Sequence, residues 1–271
     1  MIAIGERING MFTDIKRAIE EGDKEPVKKW AVRQIEAGAD YLDVNAGAAS
    51  KKPSETIKWL VECIKEALPD APIAIDSPRA EVMKAGLEAC RENGIKKMLI
   101  NSTTGQREKL EYNFGLAREF GAAVICLTMD QRGIPKDVDY RVEVAATHVA
   151  TAMEYDIPVE NIFLDPIAMP VKHAQDQIKH IMEAIRQFTL ICSPQPHIVV
   201  GLSNVGQGTT QKELVNRTFL VLGIMNGLDA AIVDVCDAEL MNAAITAELL
   251  LNKQVYSDDF IKAYMSRARC I

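Results

Sequence analysis

Eight short apolar runs in this chain each end in side chains that can donate or accept hydrogen bonds. Reading just past each run gives Glu6, Arg7 and Asn9; Asp43 and Asn45; Asp76 and Ser77; Asn101 and Ser102; Thr128; Asp165; Ser203 and Asn204; and Asp234 with Asp237. Any one of them could cap a helix, because short polar side chains satisfy the free N–H groups of a following first turn. As a set they end the apolar run itself, where a cap would follow a loop. Together they outline a cup rich in carboxylates and carboxamides.

The contents of that cup narrow the chemistry. A carboxylate accepts two N–H donors side by side, and a carboxamide offers one donor and one acceptor. Such a lining suits a pterin or pyrimidine ring, whose amino-amidine edge carries several donors and one carbonyl. Buried polar groups of this kind discriminate sharply, since each must find its partner. No Lys ends a run and Arg7 is the one basic residue near such an end, so a Schiff-base aldolase is not expected. His197 starts its run, and His148, His173 and His180 lie in or near helical stretches, so all four read as packing or surface residues. No His stands with carboxylates at metal-ligand spacing. A magnesium-type site on Asp43, Asp76, Asp165 and Asp234 is a second reading. The segment Gly201-Leu-Ser-Asn-Val-Gly-Gln-Gly208 is a weak phosphate signal, because Gln211 stands where a dinucleotide fingerprint would place its third Gly. A flexible loop is the simpler expectation there.

The elements that must position these residues recur regularly. The runs are Ile2–Gly5, Tyr41–Val44, Pro72–Ile75, Lys97–Ile100, Ala122–Leu127, Asn161–Leu164, His197–Leu202 and Ala230–Val233. Between them the apolar residues take helical spacing. Examples are Val27, Trp30, Ala31 and Ile35 with Gly38 as C-cap; Ile57, Leu60, Val61 and Ile64 behind Ser54 as N-cap; and Ile178, Ile181 and Ile185. Runs without strict alternation suit parallel strands buried on both faces. Eight βα units with no linker between them predict an α/β fold, a single (β/α)8 TIM barrel over residues 1–271. Two open sheets would need a boundary that the sequence lacks. In such a barrel the active site lies at the C-terminal ends of the strands, where the polar set falls.

Composition excludes several classes. Hydrophobic residues make up 48% of the 271 and charged residues 25%, ordinary globular values. The 31 Lys and Arg against 38 Asp and Glu give a net charge of −7, which argues against nucleic acid or an anionic membrane as partner. No apolar run approaches the roughly 20 residues that span a bilayer. The start lacks a signal-peptide pattern, and Cys63, Cys90, Cys126, Cys192, Cys236 and Cys270 form no C-x-x-C pair. A reduced, cytoplasmic chain is expected, with Asn101-Ser-Thr and Asn216-Arg-Thr matching the glycosylation pattern by chance.

These residues carry a resemblance. From Gly5-Glu-Arg-Ile-Asn-Gly10 to Leu249-Leu-Leu-Asn-Lys-Gln-Val-Tyr256 the chain resembles the methyltetrahydrofolate:corrinoid protein methyltransferases, a branch of the pterin-binding TIM barrels. The matching motifs include Leu42-Asp-Val-Asn-Ala-Gly47, Ile75-Asp-Ser77, Ile100-Asn-Ser-Thr103, Leu164-Asp-Pro166, Gly201-Leu-Ser-Asn-Val205 and Asn216-Arg-Thr-Phe219. The resemblance implies that Asp76, Asn101 and Asp165 hydrogen-bond the pterin ring. It implies that Asn204 is the catalytic residue beside nitrogen-5, with Ser203 and Gln207 as loop neighbours. Asp43 and Asn45 match the second-strand motif and are carried as substrate-binding residues.

The implied reaction moves a methyl group between nitrogen-5 of tetrahydrofolate and the cobalt of a corrinoid. A methyl on a tertiary amine leaves poorly unless nitrogen-5 is protonated or hydrogen-bonded as charge develops. A carboxamide can accept from the protonated amine or donate to the neutral one. No D-x-H-x-x-G segment precedes a His, so the corrinoid is expected on a separate protein that docks transiently at the barrel mouth. No zinc-type Cys cluster is present, and no tightly bound metal is expected. The resemblance also implies a homodimer. The direction of transfer stays open between methyltetrahydrofolate to cob(I) corrinoid, as in acetogenesis, and methylcorrinoid to tetrahydrofolate, as in methylamine or betaine catabolism. The alternatives are a dihydropteroate synthase-like enzyme, which would want basic residues at the last strands, and a non-catalytic folate-binding protein.

Overall fold

In the computed structural model, residues 1–47 and 50–253 are described. The end of the Leu249–Tyr256 motif and Cys270 lie outside them. Each apolar run forms a strand: β1 (Ile2–Asn9), β2 (Tyr41–Asn45), β3 (Ile73–Asp76), β4 (Met98–Thr104), β5 (Ala123–Leu127), β6 (Ile162–Asp165), β7 (His197–Gly201) and β8 (Ala230–Val233). The strands pair in parallel in chain order, and β8 pairs back to β1 through Ile2↔Ala230 and Gly5↔Val233, closing a (β/α)8 barrel. The connecting helices are α1 (Thr13–Glu21), α2 (Glu25–Glu36), α3 (Pro53–Ala67), α4 (Ala80–Glu92), α5 (Arg107–Phe120), α6 (Val138–Glu154), α7 (Val171–Ala174), α8 (Gln177–Phe188), α9 (Lys212–Asn226) and α10 (Ala238–Leu250).

Two apolar layers explain why the strands do not alternate between polar and apolar. Successive strand side chains point to opposite faces. One set, Ile4, Tyr41, Ala74, Leu99, Ala123, Ile125, Phe163, Val199 and Ala230, packs inside the barrel. The other set, including Leu42, Ile73, Ile75, Ile100, Val124, Leu164 and Val200, packs outward against the helices. Both faces are therefore dry until the strands reach the mouth.

Some boundaries differ from the sequence expectation. β1 and β4 run on to Asn9 and Thr104, each through an irregularity in pairing, between Gly5 and Ile8 and between Asn101 and Thr103. Their polar ends stay in the ladder because the backbone still finds partners: Asn9 pairs with Asn45, and Thr104 with Leu127. β7 stops at Gly201, and Leu202–Asn204 turn through one 3-10 turn. Ser54 is not the N-cap of α3. Pro53 takes the first helical position, for which its fixed φ is suited, and Ser54 lies inside the first turn behind Lys52. Gly38 does end α2, at φ 100° with its N–H on the Ile35 carbonyl.

Candidate active site

The polar layer of the cup is the inward row of the strands, continued one step past the apolar interior. Two residues beyond Ile4, Tyr41, Ala74, Leu99 and Phe163 stand Glu6, Asp43, Asp76, Asn101 and Asp165. By strand alternation these five share the barrel's inner face. Other members of the polar set serve the backbone. Ser77 Oγ accepts from the Arg79 N–H, Asn9 Oδ1 from the Met11 N–H, and Asp237 caps α10 through the Leu240 N–H. Thr128 gives both its N–H and its hydroxyl to the Asp165 carbonyl, each at 2.9 Å.

Within the row, carboxamides hold carboxylates. Asn101 Nδ2 donates to Asp43 Oδ1 at 2.9 Å, and Asn45 Nδ2 donates to Asp76 Oδ2 at 2.7 Å. Asn45 is fixed in turn by the Gly47 N–H on its Oδ1. Asp165 accepts the Ile167 N–H at 2.7 Å. Ile167 sits at φ 63°, a costly conformation for a β-branched residue, and the contact with Asp165 aims its N–H. The fully buried Arg141 secures this turn from outside, donating to the Pro166 carbonyl at 3.1 Å and to Gln177 at 3.2 Å.

No Lys or Arg among the described residues pairs with these carboxylates. Burial pushes Asp165 up to about 7, the Ile167 N–H only partly opposing it. Asp43 is raised well above its ordinary value by burial and by the neighbouring Asp76. Asp76 is raised by burial against the Asn45 hydrogen bond. Ionised carboxylates here lack the donors that water would supply. A ligand bearing N–H groups would provide them.

On the side of β1, β7 and β8 the mouth opens into a cavity of about 460 Å³, lined among others by Glu6, Arg7, Ser203, Asn204, Lys212 and Asp234. Ser203 Oγ donates to Glu6 Oε1 at 2.7 Å. Asn204 is exposed to the opening and folds back over Gly201, where a Cβ would lie 3.0 Å from its Nδ2. The segment around Gly206 is packed, contrary to the expectation of a flexible loop. Its N–H binds Asn216 Oδ1 at 2.8 Å, and a Cβ there would come within 2.6 Å of that oxygen. That N–H is therefore not free for a phosphate. Gln207 is exposed and is not among the residues lining this cavity, and its backbone N–H donates to the Asn204 carbonyl at 3.2 Å. Lys212 in the cavity wall, and the contact between Ser203 and Glu6, escaped the sequence reading. Glu6 and Ser203 each end an apolar run, but that the two meet is not written in either run, and Lys212 follows a loop whose path the sequence does not state.

The histidines serve the fold. His148 is buried with Nε2 2.9 Å from the Leu127 carbonyl, and burial pushes its ring down to about 4. His197 Nδ1 lies 2.7 Å from Asp229 at the opposite end of the barrel. His173 and His180 are exposed. Among the described residues no group of three His, Cys, Asp or Glu is placed to hold a metal ion. No described helix is long and apolar enough to cross a membrane.

Comparison with known proteins adds to this geometry. The family model of pterin binding enzymes matches residues 11–234. A methylcorrinoid:tetrahydrofolate methyltransferase of Eubacterium limosum is 32% identical over 269 residues, 97% of this chain and 96% of that protein. Methionine synthase of Mycobacterium tuberculosis is 25% identical over 245 residues, 86% of this chain but 20% of that longer protein. Among solved structures, a 7,8-dihydropteroate synthase from Vibrio fischeri superposes with a TM-score of 0.64 at 15% identity, covering 94% of both chains. At that identity the likeness is one of fold.

Proposed function

The chain belongs to the pterin binding enzymes, in their methyltransferase branch, and on that footing we propose that it moves a methyl group between nitrogen-5 of tetrahydrofolate and the cobalt of a corrinoid carried by a separate protein. The observation that supports this most is the inward row of carboxylates and carboxamides, with Asp43 and Asp165 buried in it and no Lys or Arg in an ion pair with it among the described residues. Asp76, Asn101 and Asp165 take the donor-rich edge of the pterin, and Asp43 and Asn45 hold that row in place. The pterin's far side then faces the cavity that Asn204 overlooks. Ser203 stands beside it, and Gln207 lies outside at the rim.

The residues divide the work by position. The floor excludes water, so each hydrogen bond to the ring counts fully. Asn204 accepts from nitrogen-5 when it is protonated and donates to it when it is neutral. That interaction strengthens as the carbon–nitrogen bond changes, which is the condition for raising the rate. The corrinoid enters as the second substrate through the open mouth. A second copy of the chain would cover the apolar stripe that Leu214, Val221, Leu222 and Met225 expose along α9, and the enzyme works in the cytoplasm. A dihydropteroate synthase-like reaction would want basic residues at the ends of β7 and β8. Ser203, Asn204 and Asp234 stand there, and Arg7 is tied to Asp14 at 3.0 Å.

The visible spectrum tests the proposal in both directions. Cob(I)alamin mixed with methyltetrahydrofolate, or methylcobalamin mixed with tetrahydrofolate, should interconvert when the protein is added. Folate binding without any spectral change in either direction would make this a folate-binding protein and no methyltransferase.

A further inference from the structure

The methyl-transfer reading leaves one proton without a carrier. Nitrogen-5 must gain it before the methyl leaves and must lose it in the reverse direction. Asn204 can follow that proton but cannot store it. We propose that Glu6, working through the Ser203 hydroxyl, holds this proton; the assignment rests on the methyl-transfer reading above.

Four features of the geometry support it. Glu6 is on the inward row of β1, so its carboxyl enters the cup from the floor side. Its Oε1 accepts the Ser203 hydroxyl at 2.7 Å. Ser203 precedes Asn204 in the same 3-10 turn, so the hydroxyl and the carboxamide are placed together. All three line the 460 Å³ cavity. A hydroxyl can donate and accept at once and rotates between partners. It can therefore receive a proton from Glu6 while passing its own to nitrogen-5.

The charges around Glu6 suit a group that exchanges its proton. Asp234 at the end of β8 favours the protonated form, and Glu6 and the β2 residue Asp43 repel each other. Lys212 of α9 and Arg7 of β1 oppose this, and Glu213 and Asp237 line the same cavity. Burial outweighs the Ser203 hydrogen bond and raises the carboxyl above its ordinary value. The step balances. From methyltetrahydrofolate, Glu6 loses its proton to Ser203 as Ser203 gives one to nitrogen-5. The cobalt electron pair then forms the bond to carbon, the carbon–nitrogen bond breaks, and nitrogen-5 keeps the proton and becomes neutral. Solvent reprotonates Glu6. The reverse direction returns the proton to the carboxylate. Glu6 touches no substrate in this scheme and is a positioning residue for the proton.

Glu6→Gln keeps the size and the acceptor for Ser203 but removes the proton. With free cobalamin, kcat from methyltetrahydrofolate should fall about 10²-fold, in the range of lost general acid catalysis. In the wild type kcat should decline with rising pH and in the variant it should not, while the Kd for tetrahydrofolate should be the same in both. Ser203→Ala should show the same loss, and Ser203→Thr, which restores a hydroxyl, should recover much of it. A Glu6→Gln variant with unchanged kcat and pH profile overturns the proposal, and so does a full-rate Ser203→Ala. A loss confined to folate affinity overturns it too, by moving Glu6 into the folate-binding set. If the wild type itself transfers no methyl, the underlying reading fails first, and the two failures are distinguished by that control.

Discussion

Glu66, at the exposed end of α3, lies between Lys24 at 2.5 Å and Lys28 at 2.8 Å. Asp165, at the end of β6, has one backbone N–H and no cation. The hydrogen bonds from Lys24 and Lys28 hold Glu66 down at about 2, while burial lifts Asp165 to about 7. The two residues are chemically near-equivalent, and the fold treats them in opposite ways. On the outer helices a carboxylate is given its partner by the chain and does little else. At the mouth the partner is withheld, and the side chain is left to interact with something that is not the chain.

The largest test of this contrast is at the mouth. Asn204→Ala removes the carboxamide from the cavity edge, and methyl transfer should fall by about 10²-fold or more, as expected when a transition-state hydrogen bond is lost. Stopped-flow kinetics in both directions measures it, and unchanged turnover would remove Asn204 from the chemistry.

Asp165→Asn should be intermediate and should act on binding and stability with opposite signs. Loss of a charge-assisted acceptor should weaken tetrahydrofolate binding by about tenfold or more. The folded carboxyl titrates near 7 against 3.8 when unfolded. Its contribution to stability is thus fully present below the unfolded value and is lost as the pH rises through the folded one. At pH 8 the ligand-free variant should therefore melt higher than the wild type, at roughly 2–4 °C per kcal/mol for a chain of this size. Below pH 4 the gap should close. Calorimetry across pH measures both, and a lower melting temperature at pH 8 would break the contrast. At the small end, Glu66→Gln should leave turnover and folate affinity at wild-type levels and shift the melting temperature by about 2 °C or less, since exposed pairs contribute little.

Much of this is legible in the sequence. The apolar runs at Tyr41–Val44 and His197–Leu202, and the helical spacing around Ile57 and Ile181, marked strands and helices because burial on both faces leaves that pattern. The set Asp76, Asn101 and Asp165 stood out because polar residues ending apolar runs are unusual. Ser54 misled because cap propensity was weighed without the Pro before it. Gly206 misled because a Gly-rich loop looks the same whether it is free or packed on Asn216. Lys212 and the pair of Ser203 with Glu6 were hidden because 197 residues separate the two members of that hydrogen bond. Local pattern carries no information on such a contact.

The order of amino acids by itself determined the eight-fold βα repeat and the parity that puts Asp43, Asp76, Asn101 and Asp165 on one face of their strands. Hydrophobic burial and side-chain alternation act within a few residues, so a one-dimensional pattern records them. Closure of β8 onto β1 decided the rest. It brought Glu6 against Ser203 and left Asp165 without a counter-charge, because burial and electrostatics are set by neighbours in space.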